Sequence, residues 1–205
     1  MAMTRLDLRT AIRADVRDPS GNRWGDSVLN RHINQGQLEL ARVSGKIAQW
    51  QNAVAANATQ VAFPTDMLYP REAAWQTAAF RYELTLRRGI ARVQPTEVGS
   101  PEDCYVTDEN FVLDPIPYEA GTLLIAGQAR PADLTLDTDT LRINDADEPV
   151  IAYVVYQLKE SDGDPTAPLA ERRWLRLQNA WMLADVQHHP LPQVLERPPR
   201  WWTGR

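Results

Sequence analysis

The sequence predicts an α+β protein. It comprises an antiparallel helical bundle of two N-terminal and two C-terminal helices, a small antiparallel β-sandwich or barrel inserted between the pairs, and an extended C-terminal tail. Three observations carry this. Apolar residues recur at 3–4 spacing near both ends of the chain, the middle alternates short β-rich runs with Pro, Gly and Asp breaks, and the last residues are rich in proline. The divisions fall at residues 1–49, 50–146, 147–187 and 188–205.

Residues 4–17 read as the first helix, with Leu8, Ala11, Ile12 and Val16 on one stripe and Thr4 and Asp7 placed for a capping box. Asp18-Pro19-Ser20-Gly21-Asn22 breaks it with turn chemistry. A second helix opens at Asp26 or Ser27 and runs to Val43, its apolar face Leu29, Ile33, Gly36, Leu40 and Val43, with Gly45 as C-terminal cap. From residue 53 to 146 the runs TQVAFP, MLYPREAAW, FRYELTLRRG, DCYV, NFVLDPIP, TLLIAGQARP and LRIND read as strands. Phe80, Tyr82, Leu84 and Leu86 alternate with polar neighbours, which predicts one buried face. Asp147 as cap and Pro149 in the first turn open the third helix, which Gly163 ends. Asp164-Pro165 then predicts an immediate restart, and Ala170, Trp174, Leu177, Trp181 and Ala184 stripe the fourth helix to about Gln187.

Composition limits the chemistry. A hydrophobic content of 43% with 24% charged residues is ordinary for a soluble globular protein, and 205 residues are enough for a substantial core. One cysteine, Cys104, rules out an intramolecular disulfide and fits a reducing compartment. The opening MAMTRLDLRT lacks the apolar segment of a secretory signal and no apolar run is long enough for a membrane span, so the expected setting is the cytoplasm or an assembly. Net charge is −5, but residues 51–150 carry 16 acidic and 7 basic side chains, which makes that stretch a poor grip for phosphate.

Catalytic and metal signatures are missing. Phosphate loops, HExxH, GxSxG and Cys–His pairings are absent, and Cys104 has no basic neighbour to activate it. His188-His189 has no third ligand at a useful spacing, and a solvated pair in an extended tail is the plainer reading. The acidic run around Asp137, Asp139, Asp145, Asp147 and Glu148 does not fit an EF-hand loop, whereas turn and cap duty explains it. No catalytic, cofactor or metal site is therefore expected, and the chain is read as a non-enzyme.

Two features point to partners. Arg5, Arg9, Arg13 and Arg17 recur every four residues and form a ribbon on the first helix, either a solvated face or a surface for phosphates or an acidic partner. The tail HHPLPQVLERPPRWWTGR sets Trp201 and Trp202 among Pro198, Pro199, Arg200 and Arg205. Extended backbone with aromatic and arginine anchors suits docking into a groove on another chain. An alternative reading is a DNA-binding regulator using the N-terminal helical pair, although Asn30, Arg31, Asn34 and Gln35 only loosely match a recognition helix.

The order of segments resembles the head–tail adaptor (connector) proteins of tailed double-stranded-DNA bacteriophages. The likeness is carried by MTRLDLRTAIRADVRDPSGNRWGDSVLNRHINQGQLELA, by FPTDMLYPREAAW, and by LIAGQARPADLTLDTDTLRINDADEPVIAYVVYQLKESDGDPTAPLAERRW. It runs from about Thr4 to Ala184 by scattered positions whose order and spacing agree. What the resemblance implies is a structural virion protein at the head–tail interface. Such a protein forms a ring, usually dodecameric, under the portal, extends the DNA channel used in genome packaging and carries tail or nozzle proteins. Its implied partners are the portal protein, neighbouring copies, tail components and genomic DNA passing without specific binding, with no membrane. On that reading the C-terminal tail is the portal-docking segment.

Overall fold

A computed structural model describes residues 2–44, 47–88 and 95–188. The element order is α1 (Arg5–Asp15), α2 (Asp26–Val43), β1 (Ala48–Val54), β2 (Gln60–Ala62), β3 (Met67–Gln76), β4 (Arg81–Arg88), β5 (Val98–Gly99), β6 (Asp103–Val106), β7 (Asn110–Asp114), β8 (Ile116–Pro117), β9 (Gly121–Ala129), α3 (Asp147–Ser161) and α4 (Ala167–His188). The described residues are α+β, with four helices and a nearly closed, barrel-like mixed sheet.

The helices share one core, and α3 is its centre. Val150, Ile151, Ala152, Tyr153, Val154, Val155 and Leu158 of α3 are all buried, so this helix is apolar on nearly every side. Leu8 and Ile12 come to it from α1, Leu29, Ile33 and Leu40 from α2, and Ala170 and Trp181 from α4. Each large apolar side chain so buried contributes about 1.5–3 kcal/mol. Gly36 lets α2 approach closely: a Cβ there would stand 3.0 Å from Tyr153 Cδ1 and 3.3 Å from Val150 Cγ1. The Tyr153 ring in turn meets Trp174 edge-on, 5.2 Å between centroids, and Trp174 stacks on Tyr156.

Helix ends follow local chemistry. Thr4 and Asp7 form the expected capping box. Beyond α1, Arg17 is left-handed at φ 56°, with Asp18 N–H donating to Arg13 O at 2.9 Å and Arg17 N–H to Ala14 O at 3.2 Å. Beyond α3, Gly163 repeats this at φ 67°, with Asp164 N–H donating to Lys159 O and Gly163 N–H to Glu160 O. Both are Schellman endings. In the turn after α1, the buried Asp18 carboxylate accepts from the N–H groups of Asn22, Arg23 and Trp24 at 3.0–3.1 Å. Burial works against that charge, but the three N–H bonds and the nearby Arg13 prevail and hold the carboxyl below its ordinary range.

One expected cap does not form: Ala146, without a side-chain bond, caps α3, because the Asp147 carboxylate instead accepts from Met3 N–H at 3.0 Å. Asp164 does accept from Thr166 N–H at 2.7 Å, as a capping carboxylate does, through a turn that leads into α4 at Ala167.

The seven-stranded sheet runs β1-β9-β3-β4-β6-β7-β2, with β5 and β8 as a separate parallel pair. Trp75, Leu84, Cys104, Phe111, Leu113, Leu123 and Ile125 form its interior. β4 alternates as its sequence requires, Leu84 buried between exposed Glu83 and Thr85. The expected all-antiparallel module is corrected in two places: β4 and β6 pair in parallel, Leu86 opposite Cys104, and so do β5 and β8. A tight turn cannot join parallel neighbours, and β5 lies in the sequence between β4 and β6. β3 carries two register shifts around Tyr69 and Pro70, where the backbone passes so close to Gly127 that any Cβ there would strike Tyr69 O. The run LRIND is not a strand; Thr140 makes only an isolated bridge to Thr4.

Candidate interaction surfaces

The segment between β9 and α3, residues 130–146, has almost no regular structure and is held in place by side chains of the helices. Gln37, fully buried on α2, donates from Nε2 to Ala132 O at 2.8 Å. Asn34 Oδ1 accepts from Leu134 N–H at 2.9 Å. Trp181 Nε1 of α4 donates to Asn144 O at 3.0 Å. Leu134, Leu141 and Ala146 of the segment are buried in the helical core. The segment in turn satisfies the first turn of α1: Arg5 N–H donates to Asp139 O at 2.7 Å and Leu6 N–H to Asp137 O at 3.2 Å.

The arginine ribbon belongs to the same arrangement. Arg5 donates from Nη1 to Leu134 O at 2.9 Å and from Nη2 to Asp137 Oδ1 at 2.8 Å. Arg9, only 6% exposed, places Nη2 2.9 Å from the other Asp137 oxygen and Nη1 3.3 Å from Asn30 Oδ1. Arg13 meets Asp26 at 2.6 Å. Hydrogen bonds from Arg5 and then Arg9 hold the Asp137 carboxyl below its usual range. Arg17 stands apart, because α1 ends at Asp15 and the four-residue repeat loses its helix before reaching it. Three guanidinium groups are thus engaged within the chain, and only Arg17 is exposed.

The other sequence-marked residues are placed as follows. Asp139 accepts from Thr135 and Leu136 N–H, both at 2.8 Å, so the acidic run serves backbone and arginines; among the described residues no group of three His, Cys, Asp or Glu is arranged for a metal. Asn30 and Asn34, weighed as base-reading residues, are turned to Arg9 and Leu134 instead. Cys104 is buried, which pushes its thiol up to about 12. His188 closes α4 and does not begin an extended tail; His189 and the anchors Pro198, Pro199, Arg200, Trp201, Trp202 and Arg205 lie outside the described residues. The clamping role of Gln37 and Asn34 escapes a sequence reading, since both sit at polar positions of a helix whose apolar stripe is complete without them.

The described residues thus present a clamped acidic segment, an exposed Arg17 and the 22-residue helix α4. The family model for SU10 adaptor protein matches residues 3–192, and the chain belongs to this phage head–tail adaptor family. Comparison with curated proteins finds no match. Among the described residues no helix is long and apolar enough to cross a membrane.

Proposed function

We propose that the chain is a structural subunit of the junction between phage head and tail: a ring of copies, twelve by the family's habit, seated under the portal, extending the DNA channel and carrying tail proteins. The family match over residues 3–192 carries this reading. The acidic excess of residues 51–150 supports a wall past which DNA slides, because carboxylates repel phosphate. In this reading residues 1–49 and 147–187 act as one antiparallel helical bundle, 50–146 as the inserted β-rich module, and 188–205 as the docking tail. Pro198, Pro199, Arg200, Trp201, Trp202 and Arg205 engage the portal. Arg17 is the ribbon member left for a partner, while Arg5, Arg9 and Arg13 hold the chain's own acidic segment.

Imaging the full chain mixed with portal protein tests the class, with a symmetric ring expected; persistent absence of rings sinks it. Deleting residues 190–205 tests the tail separately, with loss of portal co-purification expected and unchanged binding removing it from the interface.

A further inference from the structure

We propose that the end of the β-module farthest from the helices is an aromatic, acidic docking surface, and that in the free subunit its occupant is the chain's own segment 189–205. The portal reading gives that segment a destination in the particle; the β-module holds it before a portal is met.

Three loops meet at this end. The turn into β4 brings Phe80, whose ring lies 6.0 Å from that of Tyr82. The link from β8 to β9 brings Tyr118, and β5 brings Val98. Tyr118 N–H donates to Gly99 O at 3.1 Å and Ile116 N–H to Glu97 O at 2.8 Å, which ties the second loop to the third. Tyr82 joins them to the first. Its ring packs on the sheet interior and its hydroxyl sits beside Ser100, held above the ordinary phenol range by burial first and then by Tyr118, Glu119 and Glu102. Phe80 is 44% exposed, Tyr118 52% and Val98 59%. One such side chain is ordinary, but three from separate loops on one rim make a patch.

The charge on the rim is one-sided and unspent. Glu97 and Glu102 are exposed and Glu119 is half-buried, and none of them pairs with a cation among the described residues. Asp103 nearby is different, because Arg87 engages it at 2.9 Å. Arg81, next to Tyr82 on β4, alternates to the opposite face of the strand. Free carboxylates among aromatic faces suit arginine, which stacks on rings while its fork meets carboxylates. Aromatic-lined surfaces also receive proline-rich extended segments. Residues 189–205 carry Arg197, Arg200 and Arg205 against Glu196 alone, with four prolines and two tryptophans.

Length fits as well. α4 meets the sheet at its opposite end, where Ser44 Oγ donates to Asp185 Oδ2 at 3.0 Å and Ser44 O accepts from Gln128 Nε2 of β9 at 2.6 Å. From Gln128 back to Gly121, three residues after Tyr118, β9 covers about 23 Å. Residues 189–197 at polyproline rise cover about 28 Å, enough to bring Arg197 and the residues after it to the rim. So short a tether gives an effective concentration of about a millimolar, which favours the chain's own segment over a neighbour's.

Disulfide formation in the full chain, without portal protein, tests this. Ala79→Cys, in the exposed turn before Phe80, is combined with Thr203→Cys; buried Cys104 does not compete. An intramolecular link whose yield is independent of protein concentration is expected. The control combines Thr203→Cys with Ser20→Cys, which lies beyond the far end of the 18-residue α2, about 27 Å from Ser44 on the helical side. It should link about tenfold more slowly, since only the docked end is held at its target. Glu97→Lys, Glu102→Lys and Glu119→Lys together should slow the Ala79 link about tenfold, and so should Arg197→Glu with Arg200→Glu. Combining the two sets should restore it, which a misfolded β-module would not do. Equal rates at Ala79 and Ser20 overturn the proposal, as do links formed only between copies, no link at all, or a link indifferent to both reversals.

Discussion

Arg17 and Gly163 occupy the same position in two copies of one helix ending, the first after α1 and the second after α3. Both are left-handed, and only the glycine holds that conformation without a Cβ penalty. The two endings are also neighbours, since Arg23 from the turn after α1 forms an ion pair with Asp162 at the end of α3.

Arg17→Gly should therefore stabilise the fold by about 0.5–1 kcal/mol, the relief of a left-handed side chain exceeding the entropy the glycine adds to the unfolded chain. Gly163→Ala should destabilise it by about 1–2 kcal/mol. Urea denaturation of the two variants beside the parent checks both signs.

Gly36→Val should cost about 1–3 kcal/mol by overpacking, because the Tyr153 ring it would strike is backed by Trp174 and cannot retreat. Gly36→Ala should fall nearer neutrality, its helix propensity gaining about 1 kcal/mol against a milder clash. Tryptophan fluorescence reports the displacement of Trp174 alongside the stability change.

Gln37→Leu should cost about 0.5–1.5 kcal/mol, since it removes the bond by which a fully buried amide holds Ala132 O. Hydrogen exchange should quicken at residues 130–146 before it does at the centre of α3. Uniform acceleration across both would show that Gln37 is not a specific clamp.

Acidification should unfold the protein in two stages. His32 is lowered by burial and then by Arg31, so the fold favours its uncharged form more than the unfolded chain does. Its share of stability is present above the ordinary 6.5 and is lost as pH falls through the folded value. Asp7, Asp18, Asp137, Asp139 and Asp164 are all held below the ordinary 3.8, so theirs persists further and is lost on acidification from there through their folded values. Asp18→Asn should flatten the lower stage and His32→Gln the upper one, read from urea midpoints between about pH 7 and about pH 3.

Cys104 should resist thiol reagents in the folded protein. A rise from 9.0 to about 12 leaves on the order of a thousandfold less thiolate, before access is considered. Labelling in native buffer that matches the urea-unfolded rate would contradict this burial.

Legibility in the sequence followed the reach of each interaction. The Thr4 capping box, the α3 ending at Gly163 and the alternation of β4 depend on residues a few positions apart, and each was readable. β1 was missed because AQWQNAV is polar at alternate places and only Trp50 and Val54 mark its inner side. LRIND looks like a strand by composition, but its Leu141 is claimed by the helical core. Asp147 looks like a cap until Met3, 144 positions away, takes its carboxylate. The arginine ribbon has the right period and a different use, because the carboxylate that engages Arg5 and Arg9 arrives from residue 137.

That last separation has a consequence for synthesis. When α1 leaves the ribosome, the amides of Arg5 and Leu6 lack the acceptors they have in the fold until residues 137–139 have also emerged. α3, the centre of the helical core, comes later still. The sheet strands are complete by residue 129, so they can pair while the first helix waits. The contacts of α1 with residues 137–139 can therefore form only after all the sheet strands have emerged.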